Sequence, residues 1–212
     1  MKKEHPIEIL IAQGEHQQLD FKFEITDSKK IARTLSAFAN TDGGKLLIGV
    51  KDNGHITGIQ GDEEYYMIEA ASELFTKPVV LFMATRWDVK GKTVLEITIV
   101  SGQEKPYFAS DKEGKYKAYI RVADENKPAN EVLLLSWKKI KKTEGTLLRI
   151  TKPVESLFCF LEKNQAIHIN QFCRVAHINY YTARNILSDL IVVGSLRYVV
   201  RDNRIMYERI AR

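Results

Sequence analysis

The sequence predicts an α+β protein in two parts: a main domain over residues 1–142, a linker over residues 143–150 and a small domain over residues 151–212. Three observations predict it. Strand-like runs of period two alternate with helix-like segments through the first part, whereas the second part gives three helices and then two strands. A chain of 212 residues also suits one domain with a smaller companion. A composition of 44% hydrophobic and 28% charged residues supplies an ordinary globular core. There is no apolar run of about 18 residues, and the opening "MKKEHPIEILIAQGEH" has too short an apolar stretch for a secretory signal. The expectation is a cytoplasmic protein without membrane contact.

The first strand is expected over residues 17–24, where Leu19, Phe21 and Phe23 alternate with Asp20, Lys22 and Glu24. Period two sends the apolar set into a core and leaves the charged set on a solvated face. A helix follows in "TDSKKIARTLSAFANTDGG": Asp27 or Ser28 can cap its start, Ile31, Leu35 and Phe38 fall at helical spacing, and Gly43-Gly44 ends it. In "KLLIGVKDNGHITGI" two apolar runs flank Asn53-Gly54, which predicts a β-hairpin with a type I′ turn. A second helix fits residues 62–75, two strands join around Gly91, and "DKEGK" turns a further hairpin. The segment "ANEVLLLSWKKIKK" is expected to close the first domain as a helix, its lysines opposing the negative end of the helix dipole. Cys159 and Cys173 lie on apolar helical faces and are expected to be buried thiols rather than a disulfide or metal ligands.

Beyond the linker, "KPVESLFCFLEKN", "INQFCRVA" and "NYYTARNILSDLIVVG" predict three helices, and "SLRYVVRDNRIMYERI" two strands about an Asp202-Asn203 turn. This is the order of a winged helix. Its third helix, starting near Asn179, would enter a major groove with Thr182 and Arg184, and the hairpin with Arg197, Arg201 and Arg204 would be the wing. Basic residues exceed acidic ones by four over residues 151–212, and the whole chain carries +5, a lean toward anionic partners. The other use of such a module is protein–protein or dimerisation contact. In the first domain, Lys45 and Lys51 beside the hairpin, and Lys115, Lys117 and Arg121 interleaved with Tyr116 and Tyr119, are candidates for a phosphate-tracking groove. Gly43-Gly44-Lys45 is no P-loop, because Ala39 stands at the first glycine position and Leu46 follows the lysine; ATP hydrolysis by that route is not expected.

The segments "GEHQQLDFK", "AFANTDGGKLLIGVKDNGHITGI" and "AYIRVADENKPA" together resemble the Schlafen-type, Alba-like domain over about residues 10–140. The resemblance implies a mixed, curved sheet flanked by helices and a DNA-binding, transcription-related role, in bacterial members often followed by a winged helix. It also implies a second reading, since the Schlafen branch includes metal-dependent RNA endonucleases built on three carboxylates. Position by position these fall on Glu15, on Asp20, where Glu is more usual, and on Asp52, with the accompanying base on Lys22. Animal Schlafens pair two such lobes and this chain carries one, so a homodimer would be needed to rebuild the clamp.

The residues support the nuclease reading only if they converge. Hard Mg²⁺ or Mn²⁺ takes oxygen ligands, so Glu15, Asp20 and Asp52 brought together could hold it, with Lys22 stabilising charge on a phosphoryl oxygen. Apart, they have ordinary roles: Asp52 begins the turn, Glu15 sits on a loop, and Asp20 with Lys22 forms a surface ion pair. The expected partner is therefore nucleic acid, DNA ahead of RNA, bound by a regulator that needs no cofactor. The alternatives are the metal-dependent endonuclease and a non-catalytic interaction module.

Overall fold

In the computed structural model, which describes residues 5–142, 149–202 and 204–210, the chain folds as α+β and divides into two compact units, Met1–Ala129 and Asn130–Arg212. The expected linker lies mostly outside the described residues. The first unit contains the helices α1 (Pro6–Ala12), α2 (Ser28–Asn40) and α3 (Glu63–Phe75). Its strands are β1 (Leu19–Lys22), β2 (Gly44–Ile48), β3 (Thr76–Lys77), β4 (Met83–Val89), β5 (Lys92–Ile99), β6 (Phe108–Ser110), β7 (Tyr116–Val122) and β8 (Glu125–Pro128). One sheet runs β1-β2-β5-β4, parallel between β1 and β2 and antiparallel elsewhere; the other runs β3-β6-β7-β8 and is antiparallel.

Strand β2 is buried on both faces over Leu46–Ile48, which is why it carries an unbroken apolar run there rather than an alternation. Leu46 and Ile48 join the core under α2 and α3, while Leu47 joins a second cluster with Leu19, Phe21 and Ile7 of α1. Leu19 and Phe21 are thus buried as their spacing predicts. Asp20 is not solvated as expected: it is 3% exposed, because α2 and the second sheet cover its face. Phe23 lies beyond the end of β1 and is 47% exposed, under the Lys51 ammonium at 5.3 Å from the ring centre.

Helix α2 begins as its sequence predicts, with the Asp27 carboxylate accepting from the Lys29 and Lys30 amides at 2.9 and 3.4 Å. Its carboxyl end makes polar contacts inside the core. The Asn40 amide donates to the carbonyls of Tyr107 and Tyr119 at 2.7 and 2.8 Å, and its Oδ1 accepts from the Tyr107 N–H at 2.8 Å. Ser36 Oγ donates to the Tyr107 carbonyl and accepts from the Tyr119 amide, and Thr41 Oγ1 accepts from the Arg121 amide. Immediately afterwards the chain doubles back at Gly43, where φ is +72° and a Cβ would lie 2.6 Å from the Ile99 carbonyl oxygen.

Two turns differ from expectation. β2 is hydrogen-bonded by β1 and β5 on its two sides, so it has no free edge for the run after Gly54, and the expected hairpin is reduced to a bridge between Val50 and Ile56. Its turn spans Asp52-Asn53 and is closed by the Gly54 N–H on the Lys51 carbonyl at 2.7 Å; Asn53 is not left-handed, so the turn is not type I′. That geometry occurs instead at Lys90-Gly91 between β4 and β5, with φ of 55° and 77°.

The second unit contains α4 (Glu131–Ile140), α5 (Lys152–Lys163), α6 (Ile169–Ala176) and α7 (Tyr180–Val192), then β9 (Leu196–Arg201) and β10 (Arg204–Arg209) paired antiparallel. Asn203 of the expected turn is outside the described residues. Ile167 bridges Tyr207 by reciprocal 2.9 Å bonds, which lays a third short segment against the hairpin. Helix α4, expected to close the first domain at residue 142, belongs to the second unit, since Val132 enters a core with Leu157, Phe172, Leu187 and Tyr207. Of the expected buried thiols, Cys173 is half-buried and Cys159 is exposed.

Replacing Asn40 by Ala strips hydrogen bonds from the Tyr107 amide and two core carbonyls, so Asn40→Ala should destabilise the protein by about 2–4 kcal/mol. The urea unfolding midpoint of the variant measures this; an unchanged midpoint would show that the carboxamide does not hold α2 to the second sheet.

Candidate functional site

Strand β1 and the loop before it bring Glu15, Asp20 and Lys22 together. Glu15 Oε1 accepts from the Phe21 amide at 2.8 Å, and burial first, then the neighbouring Asp20 carboxylate, hold its pKa above the ordinary carboxylate value. Lys22 Nζ lies 3.0 Å from Asp20 Oδ2 and donates to the Phe21 carbonyl at 2.7 Å. The ammonium faces Oδ2 without hydrogen-bond alignment, so that buried oxygen has charge compensation but no hydrogen bond.

The other oxygen of Asp20 is taken by a residue expected elsewhere. Arg121, on β7, is 2% exposed and cannot face a phosphate groove. Its Nη2 pairs with Asp20 Oδ1 at 3.0 Å, its Nη1 donates to Asn126 Oδ1 at 3.2 Å, and its guanidinium carbon lies 5.2 Å from the centre of the Phe38 ring. The physical reason is register: Arg121 shares the inward face of β7 with Tyr119, against α2.

Asp52 is not brought to this cluster. It is exposed in the turn between Lys51 and Gly54, and among the described residues no group of three His, Cys, Asp or Glu side chains is placed to hold a metal ion. Two carboxylates remain, one of them compensated by a buried guanidinium and an ammonium. A divalent ion would have to displace both cations, so this donor set does not fit Mg²⁺ or Mn²⁺.

Most of the expected phosphate-binding cations of the first unit are also engaged. Lys45 pairs with the buried Glu96, which also accepts from Trp87 Nε1 at 2.7 Å. Lys115 pairs with Glu113 at 2.8 Å and Lys117 with Asp111 at 3.4 Å. Lys51 carries no ion pair among the described residues. In the second unit, Arg184 pairs with Glu131 at 2.9 Å and stacks on Tyr181, and Thr182 lies on the first turn of α7. Arg197 and Arg201 share Glu208, whereas Arg204 is exposed. Sequence reasoning passed over Arg174, an exposed cation of α6, because nothing but its charge marks it.

A family model described as Schlafen, AlbA_2 matches residues 15–130. Among solved structures, the DIP2311 protein from Corynebacterium diphtheriae is similar at 21% identity and a TM-score of 0.45, over 64% of this chain and 26% of that one. The N-terminal domain of a RecG-related protein from Nitrosomonas europaea is similar at 20% identity and a TM-score of 0.42, over 56% of this chain and 88% of that one. The chain thus spans about a quarter of the length of the first of these. No curated protein matches it.

Removing the guanidinium leaves Asp20 buried beside a single, poorly aligned cation, so Arg121→Met should cost about 3–5 kcal/mol, and adding Asp20→Asn should return about 1–3 kcal/mol of it. Denaturation midpoints of Arg121→Met, Asp20→Asn and the double variant complete the cycle; a double loss equal to the sum of the two single losses would show that Asp20 and Arg121 are not coupled.

Folded Glu15 holds its proton more tightly than the unfolded chain does. Its ionisation therefore weakens the fold as pH rises through the raised pKa, and the penalty is absent below the ordinary value of 4.5. Glu15→Gln keeps an acceptor for the Phe21 amide and removes the charge. Its Tm should exceed that of the parent by on the order of 1–2 °C at neutral pH, and the difference should vanish in acid; a gain that persists in acid would assign it to something other than ionisation.

Proposed function

The chain belongs to the Schlafen, AlbA_2 family, and from that premise we propose that it is a nucleic-acid-binding protein of the DNA-binding regulator type, whose second unit makes the main contact. One observation carries this reading. Residues 130–212 hold fourteen Lys or Arg against seven Asp or Glu, net +7, whereas residues 1–129 hold eighteen against twenty, net −2. All of the excess positive charge therefore lies in one small unit, the electrostatic footprint of phosphate binding. The order of α5, α6, α7 and the β9-β10 hairpin, with Ile167 bridged to it, supports treating that unit as a winged helix.

Binding dominated by phosphate contacts releases counterions. With about four phosphates neutralised, affinity for a labelled duplex should fall roughly 10²-fold between about 50 and 200 mM salt. Fluorescence anisotropy of the full chain on duplex DNA tests this. Affinity no better than that of an inert protein of equal charge would end the reading, and Mn²⁺-dependent cleavage of RNA that is lost in Glu15→Gln would replace it with the endonuclease one.

A further inference from the structure

Helix α7 is packed along one face, while Tyr180 and Tyr181 at its start are exposed. Ala183, Leu187 and Leu190 face the core. Helix α4, which shares that core through Val132, runs along α7, fastened at both ends: Glu131 pairs with Arg184 at 2.9 Å, and Lys139 Nζ reaches Asp189 Oδ1 and Ser188 Oγ, each at 2.7 Å. A third side, with Thr182 and Ile186, borders a depression shared with Pro153 and Val154 at the start of α5. Arg184 is the one basic residue of α7 and already holds a carboxylate partner, so this helix offers a phosphate no uncommitted cation.

Elsewhere in the same unit the surface has the opposite character. Between α6 and the end of the β9-β10 hairpin that carries Arg201 and Arg204 lies an open depression of about 1120 Å³, bordered also by Arg174, with Asp202 as its acid. Arg201 is fixed in place, donating to Gln165 Oε1 at 2.6 Å and to Glu208 Oε2 at 2.9 Å. Arg174 and Arg204 are exposed, and their side chains make no hydrogen bond or ion pair among the described residues. The cap of α6, His168 Nδ1, accepts from the Asn170 amide at 3.2 Å. Burial, and then the Arg204 charge, hold the His168 pKa below the ordinary value, so at neutral pH the ring is uncharged and caps α6 as an acceptor. Such an opening is wider than a single small anion needs and suits a run of phosphodiesters.

We propose that the second unit grips the nucleic-acid backbone in this depression, through Arg174 and Arg204, rather than through α7, whose one arginine is already paired with Glu131. The inference rests on the nucleic-acid reading above and specifies its contact surface.

The experiment is anisotropy titration of a labelled DNA duplex with the full chain and with the variants Arg174→Ala/Arg204→Ala and Thr182→Glu. Both arginines are exposed and unpartnered among the described residues, so the double variant should keep the parent's melting temperature. Its affinity should fall at least about tenfold near 100 mM salt, and its log–log salt slope should flatten by about two, one contact for each arginine. Thr182→Glu places a carboxylate at the favourable end of α7, outside the lining of the depression, and should shift affinity less than about twofold. The inference is overturned if the double variant binds within twofold of the parent, or if Thr182→Glu is the variant that weakens binding. Should the parent chain itself bind no better than an inert protein of equal charge, this inference and the nucleic-acid reading fall together; parent binding with an unaffected double variant removes this inference alone.

Discussion

Two sheets of the first unit share no hydrogen-bonded ladder, and the Arg121 guanidinium, its side chain 1% exposed, lies where they meet. Burying such a charge is unfavourable unless it is paired and hydrogen-bonded. Asp20 supplies the pairing from β1, Asn126 the hydrogen bond from β8, and the Phe38 ring of α2 the facing surface. Gln17 completes the junction from the backbone side, donating to the Arg121 carbonyl at 2.8 Å and accepting from the Ala123 amide at 3.0 Å. The carboxyl end of α2 works with it: Ser36, Asn40 and Thr41 occupy backbone groups of β7 and of the segment entering β6 that would otherwise be buried unpaired. The polar residues of this helix are thus as necessary to its packing as Leu35 and Phe38.

That arrangement changes the meaning of the acid and base on β1. Side by side in sequence, Asp20 and Lys22 have the spacing of a wet strand face or of a metal site. In three dimensions Asp20 is the counterion of a buried arginine 101 residues away, and Lys22 offsets the charge left on its other oxygen. Glu15 then borders a carboxylate that is already committed, which is why its own ionisation is disfavoured. A site for a hard cation needs carboxylates whose charge is not otherwise neutralised, and here the fold neutralises it.

Local chemistry made much of the fold legible. The Asp27 cap, the glycine-marked exit of α2, the strands about Gly91 and the helix-helix-helix-hairpin order each depend on neighbours within a few residues. What was not legible depends on distant partners. Nothing near Phe23 says that β1 ends before it, and nothing near Asn53 says that β2 has already given both edges to β1 and β5. Helix α1 is a single short amphipathic segment with Pro6 in its first turn and a His5 cap, and its face becomes apolar in context only because Ile7 meets Leu47 and Phe21. The site followed the same rule: Glu15, Asp20 and Lys22 converge because they are close in sequence, whereas the burial of Arg121 and the isolation of Asp52 are set by strands assembled from the rest of the unit.

The same distinction sorts the cations within each unit. A phosphate approaching Lys45, Lys115 or Lys117 meets an ammonium that already has a carboxylate partner, so the new attraction is offset by the old one and by the desolvation of both. Arg184 is held likewise by Glu131. At Arg174 and Arg204 there is no internal partner among the described residues to displace, and a phosphate gains the full charge-assisted contact. Net charge alone would rank these residues equally. Their pairing state separates them: Arg174 and Arg204, without a partner among the described residues, both border the depression beside the β9-β10 hairpin.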